Sequence, residues 1–531
     1  MDRKILIRLP GTSLRLPRGV HREPLPRSSA PLTLTLHLRS RGDHDTLRAA
    51  FEAIISGHRA PLTRAEFARQ FGTTSEAVDV VRRFARKRGF RVSQVNLVKR
   101  TMHLTGPASR LAQTFGVNRV RLRRGDTAWD SFTGYLYLPR ELAGAVIGVL
   151  GFDGSPELRR RHGPDELATA APTPKVSYTA REVAALYRFP PGLDGRGQSV
   201  GVIALGGGYL ASDMRHYFRA LSLPTPRIRS QSVVGAKNKP RGSTAQYDGE
   251  VTGDVQTVGA IAPRARITVY FAPNTPRGFF EAVAAAVHDP RARNSVISIS
   301  WGQAEVHWRK SLLLAFNEVL LEAAVLGVTV CCSSGDQGSF ADAFDRTPHV
   351  NFPGSSPFVL SCGGTTLMGK RTRIGSERVW HNETGASGGG VSEMFPRPHW
   401  QAGFRVPRTA KGYRGRGIPD VASNADPLTG YRVYVHGGWG VGAGTSASSP
   451  LWAGLVARIN QHAGTAIGLP TPYLYREFDR LVRAGAVVPV TRGNNGLYHA
   501  RKGWSCCTGA GSPRGDKLAR AFARHHRRKK S

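Results

Sequence analysis

The sequence predicts a small α+β domain followed by a larger α/β domain that is built on a doubly wound parallel sheet. The chain has 531 residues, which is more than a single hydrophobic core usually organises. Its 40% hydrophobic content and 61 glycines are typical of a globular protein with many loops. Hydrophobic periodicity disappears between residues 154 and 175, where arginine, alanine and proline dominate. We therefore predict that 154–175 is a linker between the two domains.

Residues 31–153 carry the pattern of the smaller domain, and residues 1–30, a basic segment rich in arginine and proline, are expected to be unstructured. Thr63 and Glu66 form the signature of a helix capping box, and a second helix is expected after Thr74. Strands are predicted at 34–38, 92–98, 101–104 and 135–139, the last of which closes the domain. Strands mixed with helices in this way predict a ferredoxin-like α+β sandwich.

Residues 176–520 alternate buried strands with helices, and a basic tail follows at 521–531. Strands are predicted at 199–205, 267–271, 295–300 and 328–332, together with a helix at 311–326. Strands that alternate with helices predict a parallel sheet. The functional side chains of such sheets gather at the carboxyl ends of the strands.

The formal net charge of +38 and the pI near 11.1 first suggest a nucleic-acid partner. The basic residues are spread along the chain, however, and no zinc-finger spacing or aromatic–basic pattern accompanies them. We therefore expect no specific nucleic-acid partner. No stretch reaches the roughly 20 apolar residues of a membrane span. Arg8 and Pro10 interrupt the first apolar run, which leaves no clear signal peptide.

Ser446 lies in the run Gly-Thr-Ser-Ala-Ser-Ser-Pro, which leads from a glycine-rich segment into an apolar helix. Amide dipoles at such a helix start stabilise developing negative charge, so this serine is a candidate nucleophile. A nucleophilic serine needs a base, which is usually histidine. His436 is the nearest candidate by appearance, but it lies ten residues earlier in a predicted hairpin, which does not suit that role.

Glu250 and Asp254 are four residues apart on a predicted helix that Asp248 caps, so both lie on one helix face. Two carboxylates this close tend to share one proton and to titrate as a pair. The alternative is an ordinary solvated acidic face, which cannot be distinguished by spacing alone.

Asp336 follows a predicted strand, where active-site loops gather, although a simple turn aspartate is the alternative. Gly206–Gly208 follows another strand in a G-x-G-x-x-A pattern, which invites a dinucleotide site. The acidic residue expected about 20 positions further on is missing, since Arg227 and Arg229 lie there. We therefore interpret the glycines as a tight turn and expect no bound cofactor.

Several motifs occur together in the order and spacing of one known family. They are Glu250-x-x-x-Asp254, Ser300-Trp301-Gly302, Ser334-Gly335-Asp336-x-Gly338, the serine–glycine run 387–392, and Gly444-Thr445-Ser446-Ala447-Ser448. In these motifs the chain resembles the sedolisins, which are serine-carboxyl peptidases with a subtilisin-like fold. The likeness is greatest to the kumamolisin-type members and covers residues 170–520. Residues 31–152 resemble the activation domain of pro-kumamolisin.

The resemblance implies a role for each candidate residue. Ser446 would attack the peptide carbonyl, and Glu250 would accept its proton and return it to the leaving amine. Asp254 would orient Glu250, and Asp336 would donate a hydrogen bond to the oxyanion when it is protonated. Trp301 would support the carboxylate network. Because reference carboxyl pKa values lie near 4, these roles imply an enzyme that works in acid.

The resemblance also implies the life cycle of the chain. It would be a serine-type endopeptidase made as a self-processing zymogen, which hydrolyses polypeptides through an acyl-enzyme. Its own N-terminal domain would be an intramolecular inhibitor that is cut off within the linker, near Ala170. Secretion and a monomeric processed enzyme follow from the same resemblance.

One family feature is missing from the sequence. Sedolisins bind a Ca²⁺ ion, and the matching positions here are Pro489, Val490, Arg501, Gly503 and Ser505. Both carboxylate ligands are absent, and Arg501 adds a positive charge, so we predict that no Ca²⁺ binds and that the arginine supplies the charge. Two other functions remain open at this point: an inactive or weak sedolisin-like binding protein, and an ordinary Ser-His-Asp peptidase that works near neutral pH.

Overall fold

The computed structural model describes residues 6–13, 20–25, 31–124, 127–154, 176–242, 245–341, 343 and 347–528. They form two compact units. The first unit contains the chain up to residue 158 together with 274–288 and 307–322, and the second contains the remainder. The predicted processing site near Ala170 lies outside the described residues.

The described helices and strands occur in the following order along the chain. Before the linker they are β1 (Leu6–Arg8), β2 (His21–Glu23), β3 (Pro31–Leu38), α1 (His44–Ser56), α2 (Arg64–Phe71), α3 (Ser75–Lys87), β4 (Arg91–Asn96), β5 (Thr101–Pro107), α4 (Ala108–Thr114), β6 (Asn118–Arg124), β7 (Thr127–Thr133), β8 (Tyr137–Pro139) and β9 (Val146–Leu150). From residue 180 to residue 333 they are α5 (Ala180–Leu186), β10 (Ser199–Leu205), α6 (Ala211–Ala220), β11 (Arg227–Ser232), α7 (Asp248–Ile261), β12 (Arg266–Ala272), α8 (Pro276–Val287), β13 (Val296–Ile299), β14 (Gln303–Ala304), α9 (Lys310–Val325) and β15 (Thr329–Ser333). The last group is β16 (Asn351–Phe352), β17 (Leu360–Lys370), β18 (Arg373–Val379), β19 (His381–Asn382), β20 (Gly385–Ala386), β21 (Gly390–Pro396), β22 (Gly415–Ile418), β23 (Val421–Asn424), β24 (Tyr431–Val435), β25 (Gly438–Gly442), α10 (Thr445–Ala463), α11 (Thr471–Arg476), α12 (Phe478–Arg483), β26 (Val487–Val488), β27 (Ser512–Pro513) and α13 (Gly515–Arg528).

The first unit is centred on a four-stranded antiparallel sheet with the order β4-β5-β3-β9. This order is that of a ferredoxin-like βαββαβ sheet, and it agrees with the predicted α+β class. Strand β3 is buried on both faces: Leu34 and Leu36 pack into the core with α3 and α4, while Thr35 and His37 point to the opposite face and are also inaccessible. The capping box of Thr63 and Glu66 is present at the start of α2.

One expectation for the N-terminal region was wrong. Residues 6–8 and 21–23 form strands, although 1–30 was expected to be unstructured, and they pair with 137–139 and 121–123. The strand predicted at 135–139 is present as β8 and pairs with β1, whereas β9 pairs with β3 at the edge of the main sheet. These short strands depend on partners more than 90 residues away, which local patterns do not reveal.

The second unit contains an eight-stranded sheet with the order β11-β12-β10-β13-β15-β17-β18, in which β23 also pairs with β17. All of these pairs are parallel except β17 with β18. Strands β10 and β13 are buried along their whole length, as expected for parallel strands that are covered on both faces. The predicted doubly wound α/β fold is confirmed.

Helix α10 passes through the core of the second unit and packs closely on α7. A Cβ atom on Gly454 would lie 2.6 Å from the side chain of Ile261, so this approach requires glycine. Near the C-terminus, the segment predicted as a basic tail is helical as far as Arg528, and its Phe522 is buried. Among the described helices, none is long and apolar enough to cross a membrane.

Candidate active site

The nucleophile candidate is held at the start of a long helix by the glycine-rich segment before it. Gly444 adopts a φ of +81°, which favours glycine, and its N–H donates to the carbonyl of Ala425 at 2.7 Å. Ser446 is the second residue of α10 and is only 4% exposed. Its Oγ lies 3.5 Å from the carbonyl oxygen of Ser300, the residue that follows β13. The predicted loop-to-helix junction is therefore present.

Glu250 and Asp254 lie on α7, a helix that is buried on nearly all sides. The two side chains are only 4% and 3% exposed, which rules out a solvated acidic face. The hydroxyl of Ser300 donates to Asp254 Oδ1 at 2.9 Å. Burial raises the pKa of Asp254 well above its usual value, and the hydrogen bond from Ser300 offsets only part of this rise. The carboxyl group of Asp254 therefore favours its protonated form.

The packing of α7 on α10 brings the carboxyl pair and the serine to one place. Glu250, Asp254 and Ser446 line the same small cavity, which has a volume of about 20 Å³. Thr257 and residues of the β24–β25 hairpin complete its wall. Among the described residues that line it, there is no histidine. A proton leaving Ser446 would therefore meet carboxyl groups rather than an imidazole.

Asp336 lies in the loop after β15 and is fully buried. Its Oδ1 accepts two hydrogen bonds from Thr445, from the backbone N–H at 2.8 Å and from the hydroxyl at 2.6 Å. Its Oδ2 has no hydrogen-bond partner among the described residues. Because Oδ1 is already occupied, a proton on Asp336 would be carried by Oδ2 and would be available for donation. Asp336 is thus held by Thr445, the residue immediately before the candidate nucleophile.

The serine–glycine run at 387–392 supports the Asp336 loop. A Cβ atom on Gly388 would lie 2.5 Å from the Cα of Gly335 and from the carbonyl oxygen of Ser334. The N–H of Gly388 also donates to the carbonyl of Gly335 at 2.6 Å. The motif therefore allows two backbone segments to approach each other closely, and it supplies no side chain for chemistry.

One sequence-based role differs from what the structure shows. Asp248 does not cap α7; it is the first residue of the helix, and its carboxylate lies 2.6 Å from the N–H of Gly208 and 2.7 Å from His436 Nε2. The glycine turn is thus held by Asp248, in agreement with its interpretation as a tight turn. The indole N–H of Trp301 donates to the carbonyl of Ile203 at 3.0 Å instead of to a carboxylate. Trp301 contributes by packing edge-on against Tyr247, next to the start of α7.

Two residues with direct contacts in the site were not assigned a role from the sequence. Ser300 contacts Asp254 through its hydroxyl and Ser446 through its carbonyl, and Thr445 binds Asp336. The available signal was position: Ser300 follows the carboxyl end of a buried parallel strand, and Thr445 immediately precedes the nucleophile candidate.

Comparison with known proteins shows which family the chain belongs to. The family model of the pro-kumamolisin activation domain matches residues 18–154, and the subtilase family model matches 233–472. The chain is 40% identical to kumamolisin from Bacillus sp. (strain MN-32), covering 95% of this chain and 94% of that protein. It is 28% identical to sedolisin from Pseudomonas sp. (strain 101), covering 91% and 85%. The solved structure of Pseudomonas sedolisin, a serine-carboxyl proteinase complexed with two molecules of pseudo-iodotyrostatin, matches with a TM-score of 0.59 at 26% identity and covers 67% of this chain and 99% of that chain.

The fold and the family matches together define a serine peptidase that is preceded by an activation domain, and its candidate nucleophile, Ser446, shares a cavity with the carboxyl groups of Glu250 and Asp254. The chain belongs to the sedolisin family, the serine-carboxyl peptidases, and is similar to its kumamolisin-type members along nearly its whole length.

Proposed function

We propose that this chain is the zymogen of an acid-acting endopeptidase that hydrolyses polypeptides through an acyl-enzyme at Ser446. The observation that carries this proposal is the buried cavity shared by Ser446, Glu250 and Asp254. A serine hydroxyl is a weak nucleophile unless a neighbouring group takes its proton. In this cavity, that group is a carboxylate.

Acylation begins when Ser446 Oγ attacks the peptide carbonyl carbon and Glu250 accepts the hydroxyl proton. The C–N bond then breaks, and Glu250 returns the proton to the leaving amine. Water hydrolyses the resulting ester by the same steps in reverse order, which regenerates the serine. Asp254, whose pKa is raised by burial, keeps a proton and orients Glu250 by sharing it.

Asp336 stabilises the oxyanion of each tetrahedral intermediate. Its Oδ1 accepts both hydrogen bonds of Thr445, so its Oδ2–H donates to the developing negative charge. Catalysis therefore requires a protonated Asp336 together with an ionised Glu250. Carboxyl groups with reference pKa values near 4 satisfy both conditions only in acid.

The alternative of an inactive binding protein has less support. All four side chains that the mechanism needs are present, and each is at most 4% exposed. Burying several carboxyl groups without a use for them costs stability, because each loses its hydration. A histidine-based site has no support in the cavity lining within the described residues.

The life cycle of the enzyme follows from its activation domain. We infer that residues 31–154 inhibit the peptidase domain until the chain cuts itself between residues 155 and 175, near Ala170. Secretion and a monomeric processed form are proposed from the family resemblance.

We further propose that this member needs no Ca²⁺. The side chains of Pro489 and Val490 offer no oxygen ligand, and the described residues contain no cluster of three or more acidic, histidine or cysteine side chains that could hold a metal. The guanidinium group of Arg501 instead donates to the carbonyls of Trp504 and Arg405, at 2.9 and 2.6 Å. The guanidinium cation of Arg501 thus stabilises the backbone around Trp504 and Arg405 through these hydrogen bonds.

We expect a calcium chelator to leave the thermal unfolding midpoint unchanged, whereas Arg501→Gln should lower the free energy of unfolding by about 1–2 kcal/mol through loss of two charge-assisted hydrogen bonds. Differential scanning calorimetry measures both effects, with the exposed neighbour Lys502→Gln as the matched control. Stoichiometric calcium by elemental analysis, or a midpoint that falls with the chelator and recovers with calcium, would contradict the proposal.

The proposed function is tested by acidifying the purified full-length protein from about pH 8 to about pH 4. Mass spectrometry should show loss of an N-terminal fragment with a new terminus between residues 155 and 175, and the product should digest denatured protein. A peptide aldehyde, which traps a nucleophilic serine as a hemiacetal, should block both events. A metal chelator should block neither. An intact, inactive chain at pH 4, or inhibition by the chelator alone, would overturn the proposal.

A further inference from the structure

A buried group of titratable side chains in the described structure is not used by the mechanism. We name it the histidine–carboxylate layer; its members, all in the first unit, are His37, Arg100, His103, Glu281, His288 and Glu322. None is more than 8% exposed. Three members belong to residues 31–154, and the other three belong to α8, to α9 or to the residue that follows α8. The layer therefore joins the activation domain to two helices from the peptidase part of the sequence.

His37 is the least compensated member of the layer. It is 1% exposed on strand β3, and neither ring nitrogen has a hydrogen-bond partner among the described residues. The ring of Phe280 on α8 packs against it at 5.5 Å. Burial and then the charge of Arg100 lower the pKa of His37 to about 3, although Glu322 and Glu281 act in the opposite direction. The imidazole is therefore neutral while the layer is assembled.

The two carboxylates of the layer are matched to cationic or hydrogen-bonding partners. Glu281 Oε1 lies 2.7 Å from His103 Nε2 and accepts from the hydroxyl of Thr35 at 2.8 Å. Burial alone raises the pKa of Glu281, but the contact with His103 and the charge of Lys99 outweigh it, so the pKa is lowered.

Glu322 is held in the same way. It accepts from Arg100 at 2.5 Å and lies 2.6 Å from His288 Nε2. Burial raises its pKa, but the Arg100 charge and the His288 contact dominate and lower the pKa to about 2. Glu318 on the same helix is a second partner of Arg100, at 2.8 Å. The assembled layer therefore favours ionised carboxylates and a neutral His37.

We propose that the histidine–carboxylate layer is an acid-sensitive lock that holds residues 31–154 on helices α8 and α9 at neutral pH and releases them in acid, with His37 as its trigger. The inference rests on the proposed function, because it names how the site at Ser446 is kept inactive until the pH falls. It goes beyond that function by assigning the pH response to particular side chains that take no part in peptide hydrolysis.

The sign of the pH response follows from proton binding. In the separated state His37 is hydrated and titrates near its ordinary pKa of 6.5, whereas in the assembled layer it titrates near 3. Between these values the separated state binds one more proton, so each pH unit of acidification favours separation about tenfold. Below pH 4.5, the ordinary value for glutamate, Glu322 and Glu281 also take up protons only on separation, which steepens the response.

His103 and His288 each have a carboxylate partner, Glu281 and Glu322 respectively. His37 has no such partner among the described residues, so its protonation inside the layer leaves a buried charge unpaired. Release therefore begins with proton uptake by His37 and is completed by proton uptake by Glu281 and Glu322. Both steps fall in the acidic range in which we propose that the Ser446 site is active.

The test uses the full-length chain carrying Ser446→Ala, so that no cut occurs. Hydrogen–deuterium exchange of peptides from 276–287 and 310–325, corrected for the intrinsic pH dependence of exchange, reports the pH at which the helices become exposed. In a second variant that also carries His37→Leu, the midpoint of this transition should fall by about one pH unit or more. His44→Leu, at an exposed position on α1, is the matched control and should leave the midpoint unchanged.

A thermal unfolding scan at about pH 8 checks that His37→Leu is folded, and His37→Gln, which is also non-titrating, replaces it if it is not. A midpoint unchanged by a folded His37 variant, or shifted upwards, overturns the proposal. Because this readout needs no peptidase activity, its failure is distinguishable from failure of the proposed function. In the active chain, His37→Leu should lower the pH of half-complete processing by the same amount.

Discussion

Ser446→Ala is expected to lower kcat/KM for peptide hydrolysis by about six orders of magnitude and to abolish self-processing in acid. Alanine keeps the start of α10 but removes the oxygen that forms the acyl bond. The residual rate would come from oxyanion stabilisation and substrate binding, which remain. The effect is measured with a quenched fluorescent peptide at about pH 4 and by mass spectrometry of the acidified full-length chain.

Ser448→Ala is the matched control for this variant, because it removes another hydroxyl from the same helix. Ser448 is fully buried, and its Oγ lies 2.7 Å from Ser423 Oγ, away from the carboxyl pair. Its replacement should cost stability of about 1 kcal/mol and leave kcat/KM within a few-fold. Equal rates for Ser446→Ala and the parent enzyme would show that a different nucleophile acts.

Glu250→Gln should lower kcat by about four orders of magnitude or more while the affinity for substrate changes little. Glutamine has the shape of glutamate but cannot accept the hydroxyl proton, so attack by Ser446 loses its base. The split between kcat and KM in acid is the measurement that separates this loss from a general loss of structure. A full rate with glutamine at this position would exclude Glu250 as the base.

Glu305→Gln provides the control for burial, since Glu305 is also a buried carboxyl group in the second unit. Burial raises the pKa of Glu305 to about 7, and the hydroxyl of Ser392 donates to it at 2.7 Å. It does not line the cavity of Ser446.

Asp336→Asn is the chemical comparison for Glu250→Gln. The asparagine amide keeps a hydrogen-bond donor at the position of Oδ2, so this variant should lose less activity than Glu250→Gln and should retain its activity to higher pH.

Much of the fold could be predicted because its signals are local. The doubly wound class follows from fully apolar strands, and the strand at 199–205 has the predicted bounds. The capping box at Thr63 needs only four residues of sequence, and it is present. The motif around Ser446 likewise combines a glycine and a helix start within a few residues. The assigned roles of Ser446, Glu250, Asp254 and Asp336 stay predictions until the variants are measured.

The incorrect predictions share a different physical origin. Asp248 satisfies a capping pattern, but its carboxylate is used by Gly208 and His436, which are 40 and 188 residues away. His37 in β3 is likewise buried against Phe280 of α8, which is 243 residues further along the chain. Residues far along the chain determine these contacts, and local sequence patterns do not identify them.

The glutamates of α8 and α9 face different surroundings in the full chain and in the proposed processed enzyme. If residues 31–154 leave as we propose, Glu281, Glu318 and Glu322 would lose Arg100 and His103 and would remain on the enzyme. Helices that must be packed in one form of the chain and hydrated in the other cannot meet their partner through leucine alone, because the bare apolar surface would promote aggregation. Carboxylates at these positions would keep the two helices hydrated after the proposed cut. The same three glutamates would thus be paired with Arg100 and His103 in the full chain and hydrated in the processed enzyme.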